Sequence, residues 1–446
     1  MTSSSQNKLS AGFQPIFATW WPLAGSWVLM GVELPLLSAV IARLADPKIH
    51  LAAFGGVVFP LSLLIEAPII MLLAASTALS KNWASYVLLR RLMSQSAVAL
   101  TAIHVLIAFT PLYDALVSTL LAVPEKIIEP ARIGLQLMTP WTAAIAIRRF
   151  QQGVLIRFGQ SKVVVMGTAV RLATNVFFLT AGYAGKFPGI VVATSALAAG
   201  VTAEAIMVNV RVQPLLREIH RNESPDDTCL SMRQLLVFYL PLALTPILTL
   251  LALPIGSAAL SRMPHALESL AVLPVVMGLS FLIRSPGLAY HEVVVTLIGQ
   301  PGAAHSLRRF TVLLATVTSS LLLLITITPL APLWFGKISG LSPTLTSIAT
   351  TGLWFAVLMP ALTALESWYQ GVMVYSGRTG SIAQSVAVYL LISSVILGLG
   401  IIHGQITGLY ISLAATLIGF FMQTLWLHVQ SQPTLRRLFT TPTAAT

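Results

Sequence analysis

Charged residues are scarce in this sequence. Asp, Glu, Lys and Arg make up 9% of the 446 residues, whereas hydrophobic residues make up 56%. Soluble proteins carry about 25% charged residues, so a water-soluble domain is excluded. A helix that crosses a bilayer needs about 20 mostly apolar residues, and such runs follow one another almost from end to end. The sequence therefore predicts an integral membrane protein.

Cysteine and catalytic motifs are also nearly absent. Cys229 is the single cysteine, which excludes an intramolecular disulfide and a cysteine metal cluster. The sequence contains no paired-Asp metal motif, no HExxH, no Walker loop and no GxSxG. We therefore expect no enzyme activity, no catalytic residue, no bound metal and no cofactor. Without a Walker loop, ATP hydrolysis by that route is excluded, so any work that the protein does across the membrane must draw on an ion gradient or a solute gradient.

The few charges that are present are mostly positive, with a formal net charge of +12. Positive charge can indicate nucleic-acid binding, but in a polytopic membrane protein it reflects Lys and Arg held in cytoplasmic loops. With the N-terminus in the cytoplasm and the spans alternating, most Lys and Arg residues fall on the inner side. We therefore expect a multi-pass protein of the plasma or inner membrane, with both termini cytoplasmic and no nucleic-acid partner.

The apolar runs predict twelve transmembrane spans. Helices are the expected structure, because they satisfy the backbone hydrogen bonds of each span in lipid. One hydrophilic stretch near the midpoint separates the spans into two sets of six. The predicted organisation is a polar N-terminal tail (1–13), an N-lobe (14–215), a cytoplasmic linker (216–232), a C-lobe (233–430) and a polar C-terminal tail (431–446).

A sequence repeat relates the two lobes. Leu61–Pro68 reads LSLLIEAP, and Leu279–Pro286 reads LSFLIRSP. Further matches are Arg43 with Arg262, Thr110-Pro111 with Thr328-Pro329, and Gly159 with Gly377. Because each set has an even number of spans, both sets enter the membrane from the same side. The repeat predicts an all-α fold of two parallel six-helix halves, related by an axis along the membrane normal, with a site at their interface.

Ionisable side chains occupy equivalent positions in the repeat, where Glu66 of the first copy corresponds to Arg284 of the second. A charge at mid-membrane costs about 2.5–3.5 kcal/mol, so we expect both to line a polar pathway between the lobes. The alternative for Glu66 and Arg284 is a structural ion pair between them. The alternative for Arg148 is a side chain that extends to the cytoplasmic surface. With polar neighbours one helical turn away, the candidate cavity residues are Ser62, Glu66, Ser280, Arg284, Arg148, Gln152, Arg171, Asn175, Glu366 and Gln370.

A carboxylate in the first span is the candidate for ion coupling. Glu33 stands shortly before Pro35. A proline at that position frees a backbone carbonyl and bends the helix, which makes room for a hydrated side chain. This context predicts a proton or sodium site. The alternative is a Glu near the outer end of the helix that simply reaches water.

The sequence resembles the multidrug/oligosaccharidyl-lipid/polysaccharide (MOP) exporter superfamily and its MATE-like members. The resemblance lies in two long segments, Thr110–Gly159 and Thr328–Gly377, and in the proline-bearing first and seventh spans. Three further stretches are most similar to the progressive ankylosis protein branch of that superfamily. These are Phe238–Leu244 (FYLPLAL), the run that begins at Leu307 and the run near Leu399.

The resemblance implies a V-shaped bundle whose lobes rock to expose a central cavity alternately to the two membrane faces. Glu33 is then the nearest candidate for the acidic residue that drug/ion antiporters of the superfamily carry in the first span, although that residue is usually an Asp. The ankylosis branch is associated with export of organic or phosphate-containing anions. The basic residues that suit such a cargo are Arg148, Arg149, Arg171 and Arg284.

The expected function is MATE-like secondary active export of a small organic solute, with an organic or phosphate-containing anion as a candidate, by antiport against a proton or sodium gradient. The alternatives are a lipid-linked saccharide flippase of the same superfamily and a multidrug or cation antiporter. A membrane enzyme or a passive scaffold would be a different class, and a scaffold has no reason to carry the insertion cost of repeated mid-membrane charges. We expect the protein to act as a monomer in the lipid bilayer.

Overall fold

Every secondary-structure element in the described part of the chain is helical. The structure is a computed structural model, and it describes residues 13–221, 231–300 and 302–440. The first half contains α1 (Phe13–Ile41), α2 (Pro47–Ala53), α3 (Phe59–Glu66), α4 (Leu72–Leu79), α5 (Trp83–Phe109), α6 (Leu112–Asp114), α7 (Glu125–Leu137), α8 (Thr139–Arg157), α9 (Ser161–Ala184) and α10 (Gly189–Arg221). The second half contains α11 (Met232–Ser261), α12 (Ala266–Leu297), α13 (Ala303–Ile327), α14 (Leu330–Pro332), α15 (Pro343–Ala356), α16 (Met359–Tyr375), α17 (Gly380–His403) and α18 (Gly408–Thr440). The predicted all-α class is confirmed.

Within those ranges, 11 helices are long and apolar enough to cross a membrane. Two of them are bent spans built from several helices, namely Pro47–Leu79 (α2 to α4) and Pro343–Tyr375 (α15 and α16). The counterpart of Pro343–Tyr375 in the first half is the pair α7 and α8. This pair is less apolar because α7 carries four charged residues and α8 contains Arg148 and Arg149 in its middle. The fourth predicted span is therefore present as a helix, and its charges set it apart from the others.

The backbone confirms the internal repeat. Thr110 and Thr328 end α5 and α13 in extended backbone, with φ of −118° and −109° and ψ of 170° in both. Each is followed by an elbow that contains a π-helical turn, Ala115–Leu120 in the first half and Leu333–Ile338 in the second. The two elbows therefore repeat the same unusual local geometry.

The ends of α8 and α16 repeat in the same way. Gly159 and Gly377 follow these helices with φ of +74° and +71°. A left-handed backbone of this kind carries no steric penalty at glycine. It lets the next residue, Gln160 or Arg378, donate its backbone N–H to a carbonyl of the last helical turn at 2.8 and 2.9 Å. The glycines matched in the sequence therefore have the same structural role.

The lobes meet through equivalent helix pairs, α1 against α12 and α11 against α3. In the first pair, Trp20 Nε1 donates to the carbonyl of Pro286 at 2.9 Å. In the second pair, the Tyr239 hydroxyl donates to the carbonyl of Pro68 at 2.5 Å. Both acceptors are the prolines that close the repeated octapeptide. The repeat thus places the same carbonyl twice in the interface between the lobes.

A second pair of equivalent contacts, which we call the arginine contacts, lies on the membrane face where α1 and α11 end. Arg43 Nη2 donates to the carbonyl of Ile338 at 2.8 Å, and Arg262 Nη2 donates to the carbonyl of Leu120 at 2.8 Å. Each acceptor closes the π-helical turn of the opposite lobe, where helix carbonyls have no partner of their own. We call this side of the protein the arginine face.

Two helices continue past the predicted domain boundaries. Helix α10 continues to Arg221, so the start of the predicted linker at 216 is helical. Helix α18 continues to Thr440, so the predicted tail from 431 begins as helix. Residues 222–230 of the linker and the outer parts of both tails lie outside the described residues, and the end of the linker at Met232 already belongs to α11. The helices extend this far because apolar residues near their ends, Leu216 in α10 and Leu435 in α18, are buried.

Candidate functional site

A buried network of charged side chains lies inside the N-lobe. Glu204 on α10 is fully buried, and Gln152 Nε2 donates to its Oε1 at 3.0 Å. Arg148 Nη1 lies 3.1 Å from Glu204 Oε2, and Arg171 Nε lies 3.8 Å from the same oxygen. Glu204 therefore connects α10 to both α8 and α9.

Glu33 extends these contacts to α1. Asn175 Nδ2 donates to Glu33 Oε1 at 2.5 Å, and Arg171 Nη2 lies 3.5 Å from Glu33 Oε2. The Glu33 side chain is only 14% exposed, so it does not simply reach water at a helix end. Its charge is balanced by an arginine of the same lobe. We call the following set the N-lobe network: Glu33, Arg148, Gln152, Arg171, Asn175 and Glu204.

Helical spacing and one glycine set the geometry of this network. Arg148 and Gln152 are one turn apart on α8, as are Arg171 and Asn175 on α9, so each pair projects from one helix face. Helices α9 and α10 approach closely at Gly200, where an added Cβ atom would lie 2.0 Å from Asn175 Oδ1. A larger residue at Gly200 would therefore displace the amide that bonds the first-span carboxylate.

Glu66 is buried in the same lobe, and no ion pair in the described part of the chain includes it. It is 4% exposed, and its Oε2 has no hydrogen-bond partner among the described residues. The positive charges that act on it are those of Arg148 and Arg149, both on α8. The electrostatic balance of Glu66 is therefore supplied within its own lobe.

The C-lobe contains a cavity of about 860 Å³, which we call the C-lobe cavity. Its walls come from α11, α12, α16, α17 and α18, and Met71 and Ala74 of the N-lobe close one side. The larger polar side chains that line it are Arg284, His291, Glu366, Gln370, Tyr389 and Gln423. Small-molecule sites in proteins have volumes of about 300–1,000 Å³, so this cavity has the size of a drug-sized solute.

The two opposite charges of the C-lobe cavity have different partners. Glu366 Oε1 accepts hydrogen bonds from Gln370 Nε2 at 2.8 Å and from Gln423 Nε2. The guanidinium of Arg284 lies over the ring of Phe420, 5.2 Å from its centroid. In the described part of the chain, Arg284 has no carboxylate within 4.0 Å and no hydrogen-bond partner for its buried Nε. The charge of Glu366 acts on Arg284 from beyond ion-pair distance, so in the described part of the chain Arg284 forms no direct ion pair.

Seven of the ten residues predicted to line one central cavity fall into two separate places, and Ser62, Glu66 and Ser280 belong to neither. Those that line the C-lobe cavity are Arg284, Glu366 and Gln370. Those that belong to the N-lobe network are Arg148, Gln152, Arg171 and Asn175. The division has a simple cause. Each lobe contains charges of both signs, and a buried charge interacts most strongly with an opposite charge at short range.

Glu66 and Arg284 do not form the ion pair considered as the alternative, since no described ion pair within 4.0 Å contains either residue. The serines one turn before them are also buried apart. The Ser280 hydroxyl lies 3.7 Å from the sulfur of Met359. The Ser62 hydroxyl has no hydrogen-bond partner in the described ranges. Equivalent positions in the repeat thus have different surroundings.

We expect substitutions at Glu66 and Arg284 to act independently. In the double variant Glu66→Gln/Arg284→Gln, the change in free energy of unfolding should equal the sum of the single changes to within about 0.3–0.5 kcal/mol, as for sites without shared partners. The measurement is unfolding of the wild type and the three variants in the same detergent. The exchange Glu66→Arg with Arg284→Glu should restore no stability, and a clear rescue would show that the two side chains are mutual partners.

Sequence reasoning missed Glu204, Gln423 and Phe420 as site residues. Glu204 did give a visible signal, because it is a carboxylate inside an apolar span. Its partners, however, lie on other helices, and no polar residue at helical spacing on α10 indicates them. Gln423 and Phe420 lie on α18 and approach Glu366 and Arg284 only through the fold.

Comparisons with known proteins bear on the fold. No family model matches the sequence, and no curated protein matches it. The chain is similar to the solved structure of a multidrug resistance MATE family transporter of the MOP superfamily in an inward-facing conformation. The TM-score is 0.72 at 13% identity, and the match covers 94% of this chain and 99% of that chain.

Two further solved structures are similar over nearly the whole chain. An outward-facing conformation of a multidrug resistance MATE family transporter of the MOP superfamily matches with a TM-score of 0.58 at 14% identity, covering 99% of this chain and 100% of that one. The lipid II flippase MurJ in an inward closed conformation matches with a TM-score of 0.67 at 13% identity, covering 93% and 89%. The chain therefore has the twelve-helix fold of the MATE structures.

Proposed function

We propose that the chain is a MATE-like secondary active transporter that exports a small organic solute by alternating access between its two lobes. The observation that carries the proposal is the C-lobe cavity. It is a space of about 860 Å³ among helices that are apolar enough to cross a membrane, and it is lined by Arg284 and Glu366. Ionisable residues at membrane depth are costly and mark the pathways of solutes and ions.

The contacts between the lobes support alternating access. They occur as equivalent pairs, the Trp20 and Tyr239 hydrogen bonds and the arginine contacts of Arg43 and Arg262. Parallel-repeat transporters work by moving one rigid half against the other. Such a motion can break the polar contacts on one face without disturbing the packing inside either lobe.

We place the arginine face outside the cell and both termini in the cytoplasm, in the plasma or inner membrane. With this orientation, exposed basic residues such as Arg90 and Arg91 at the start of α5 lie on the cytoplasmic side. Lys and Arg are enriched in the short cytoplasmic loops of membrane proteins, and this distribution is the support for the assignment.

Glu33 is the residue that we propose couples transport to an ion gradient, with a proton as the ion. Its carboxylate lies beside the positive guanidinium of Arg171, which disfavours a sodium ion in the same place by like-charge repulsion. A proton instead neutralises Glu33 and frees Arg171 from it. Because Arg171 also contacts Glu204, this exchange would be transmitted to α10 and so to the rest of the lobe.

The cavity volume favours a small solute over a lipid-linked saccharide. A volume of about 860 Å³ fits a drug-sized molecule, and a flippase cargo with several sugars and a long lipid would need more space. Arg284 forms no ion pair within the described ranges and so favours an anion as cargo, as does the similarity of three stretches to the progressive ankylosis protein branch. A cation antiporter would instead depend on Glu366.

Transport by reconstituted vesicles tests the proposal. The full chain in proteoliposomes is tested for movement of citrate, nucleotides, pyrophosphate, aromatic sulfonates and cationic dyes, with an imposed pH gradient, a sodium gradient or neither. We expect one class of organic solute to move faster than in empty vesicles, and to respond to the pH gradient and not to sodium.

The Glu33→Gln variant isolates the coupling residue. It should lose the response to the pH gradient, since a glutamine cannot exchange a proton, while the exposed control Glu125→Gln should retain it. Equal rates with and without the gradient in the wild type, or an unchanged response in Glu33→Gln, would refute the assignment of Glu33. Movement of no solute class above empty vesicles would refute the transporter proposal.

A further inference from the structure

Arg284 has an unusual position for a charged group in a membrane. It lies in the middle of α12 within an apolar sequence, and insertion of an arginine there costs about 2.5–3.5 kcal/mol. Buried charges in proteins are normally paired, yet among the described residues Arg284 has no carboxylate within 4.0 Å. Its guanidinium lines the C-lobe cavity, so an anion that enters the cavity can form an ion pair with Arg284.

The charge count of the cavity limits the number of anionic groups. Arg284 is the only Arg or Lys among the lining residues that the structure describes. The carboxylate of Glu366 lines the same space and opposes a second negative charge. A guanidinium binds one carboxylate or sulfonate with two parallel hydrogen bonds. The cavity is therefore built for a single acidic group on Arg284, and citrate or pyrophosphate would bring further charges for which the described lining offers no second Arg or Lys.

The surroundings of Arg284 indicate the body of the ligand. The rings of Phe281 and Phe420 lie 5.7 and 5.2 Å from its guanidinium, and the nearby walls are apolar. Among these apolar lining residues are Leu242, Leu250, Leu253, Met277, Leu288 and Val386. Flat aromatic groups pack well against aromatic and aliphatic side chains. A ligand with one acidic group and an apolar aromatic body therefore matches the cavity, with the acidic group at Arg284 and the body against the apolar walls.

The partners of Glu366 argue against a cation as the ligand. Its Oε1 already accepts two amide hydrogen bonds, from Gln370 and Gln423, whereas the buried Nε of Arg284 has no hydrogen-bond partner among the described residues. An incoming ammonium group would compete with both amides for Glu366. An incoming sulfonate would gain an unoccupied partner in Arg284.

From these observations we propose that the C-lobe cavity binds amphipathic organic monoanions, with one carboxylate or sulfonate on Arg284 and an aromatic or aliphatic body against the apolar walls, and that it discriminates against polyanions. The proposal rests on the transporter function proposed above and specifies its substrate class.

Binding to the full chain in lipid nanodiscs tests the proposal without requiring transport. The probes are 2-naphthalenesulfonate, the matched cation 2-naphthylmethylammonium, and citrate, each measured by equilibrium dialysis against empty nanodiscs as a blank. We expect the sulfonate to bind at least about tenfold more tightly than the cation or citrate, the factor that one charge-assisted hydrogen bond supplies. Equal or tighter binding of the cation or of citrate would overturn the proposal. This comparison uses only the wild-type chain, so it does not depend on whether a variant folds.

Variants then assign the binding to Arg284. Arg284→Gln should weaken sulfonate binding by about tenfold or more, Arg284→Lys should lie between it and the wild type, and the exposed control Arg90→Gln should bind as the wild type does. Glu366→Gln should bind the sulfonate as tightly as the wild type or more tightly. An unchanged affinity in Arg284→Gln would overturn the proposal.

The two proposals fail in distinguishable ways. Binding of the sulfonate in nanodiscs with no movement in vesicles would support this inference and refute the transporter function. Movement of a cationic dye with no sulfonate binding would support the transporter function and refute this inference.

Discussion

Replacing Glu204 with glutamine is expected to lower the free energy of unfolding by about 3–5 kcal/mol, the usual cost of leaving a buried charge without its partner. Glu204 is fully buried. It is the carboxylate closest to Arg148, at 3.1 Å, and it also contacts Arg171. A glutamine keeps the shape of the side chain and part of its hydrogen bonding, but it removes the negative charge that balances both arginines. Chemical unfolding in mixed micelles measures the effect.

A matched control lies on the same helix. Glu218 on α10 is exposed, and Glu218→Gln should change the free energy of unfolding by less than about 0.5 kcal/mol, as is usual for surface substitutions. The double variant Glu204→Gln/Arg148→Gln should lose less free energy of unfolding than the sum of the two single losses, by about 1 kcal/mol or more. The reason is that it removes both charges of one pair. Equal losses in Glu204→Gln and the Glu218→Gln control would show that the N-lobe network does not hold the lobe together.

The fold could be predicted from the sequence because its main signals are local. Apolar runs of membrane length indicate the spans, and the repeat of Pro, Gly and Arg residues indicates two equivalent halves. Gly159 and Gly377 adopt the same left-handed backbone, and the elbows that follow Thr110 and Thr328 both contain a π-helical turn. The prediction of the fold therefore rested on residue types with strong backbone preferences.

The arrangement of the site could not be predicted, since it depends on which helix faces meet. Glu204 and Arg148 are 56 residues apart, and nothing in the sequence of either helix indicates the rotation that brings them together. Glu66 and Arg284 are equivalent in the repeat, yet each lies near opposite charges of its own lobe. Sequence symmetry relates positions within the lobes, and it does not require those positions to touch.

The arginine contacts illustrate the same limit. Arg43 and Arg262 match in the repeat, but their acceptors are backbone carbonyls at the ends of the π-helical turns. Any residue type can supply a backbone carbonyl, so the sequence gives no sign of these partners. The contacts become visible only when the opposite lobe is placed against each arginine.

Linking the two lobes on the arginine face is expected to abolish transport. Lys48 at the start of α2 and Glu268 on α12 form an ion pair between the lobes on that face. If this face opens during the cycle, these residues must separate, and a covalent link between them stops the cycle in one state. A link within one lobe should have no such effect, because under alternating access each lobe moves as a rigid body.

A control pair lies on the same face inside the N-lobe. Asp114 and Arg132 also form an ion pair, and their side chains are 50% and 26% exposed, compared with 39% for Lys48 and 23% for Glu268. Both pairs are therefore accessible to a thiol reagent, and both bring two side chains into contact. They differ in whether the link crosses from one lobe to the other.

The decisive measurement is transport after cross-linking in a Cys229→Ser background. The variants Lys48→Cys/Glu268→Cys and Asp114→Cys/Arg132→Cys are reconstituted, treated with 1,2-ethanediyl bismethanethiosulfonate and assayed before and after reduction with dithiothreitol. Alternating access predicts that the link between lobes reduces transport to the level of empty vesicles, that reduction restores it, and that the link within the N-lobe leaves the rate unchanged. Undiminished transport with the lobes linked would contradict it.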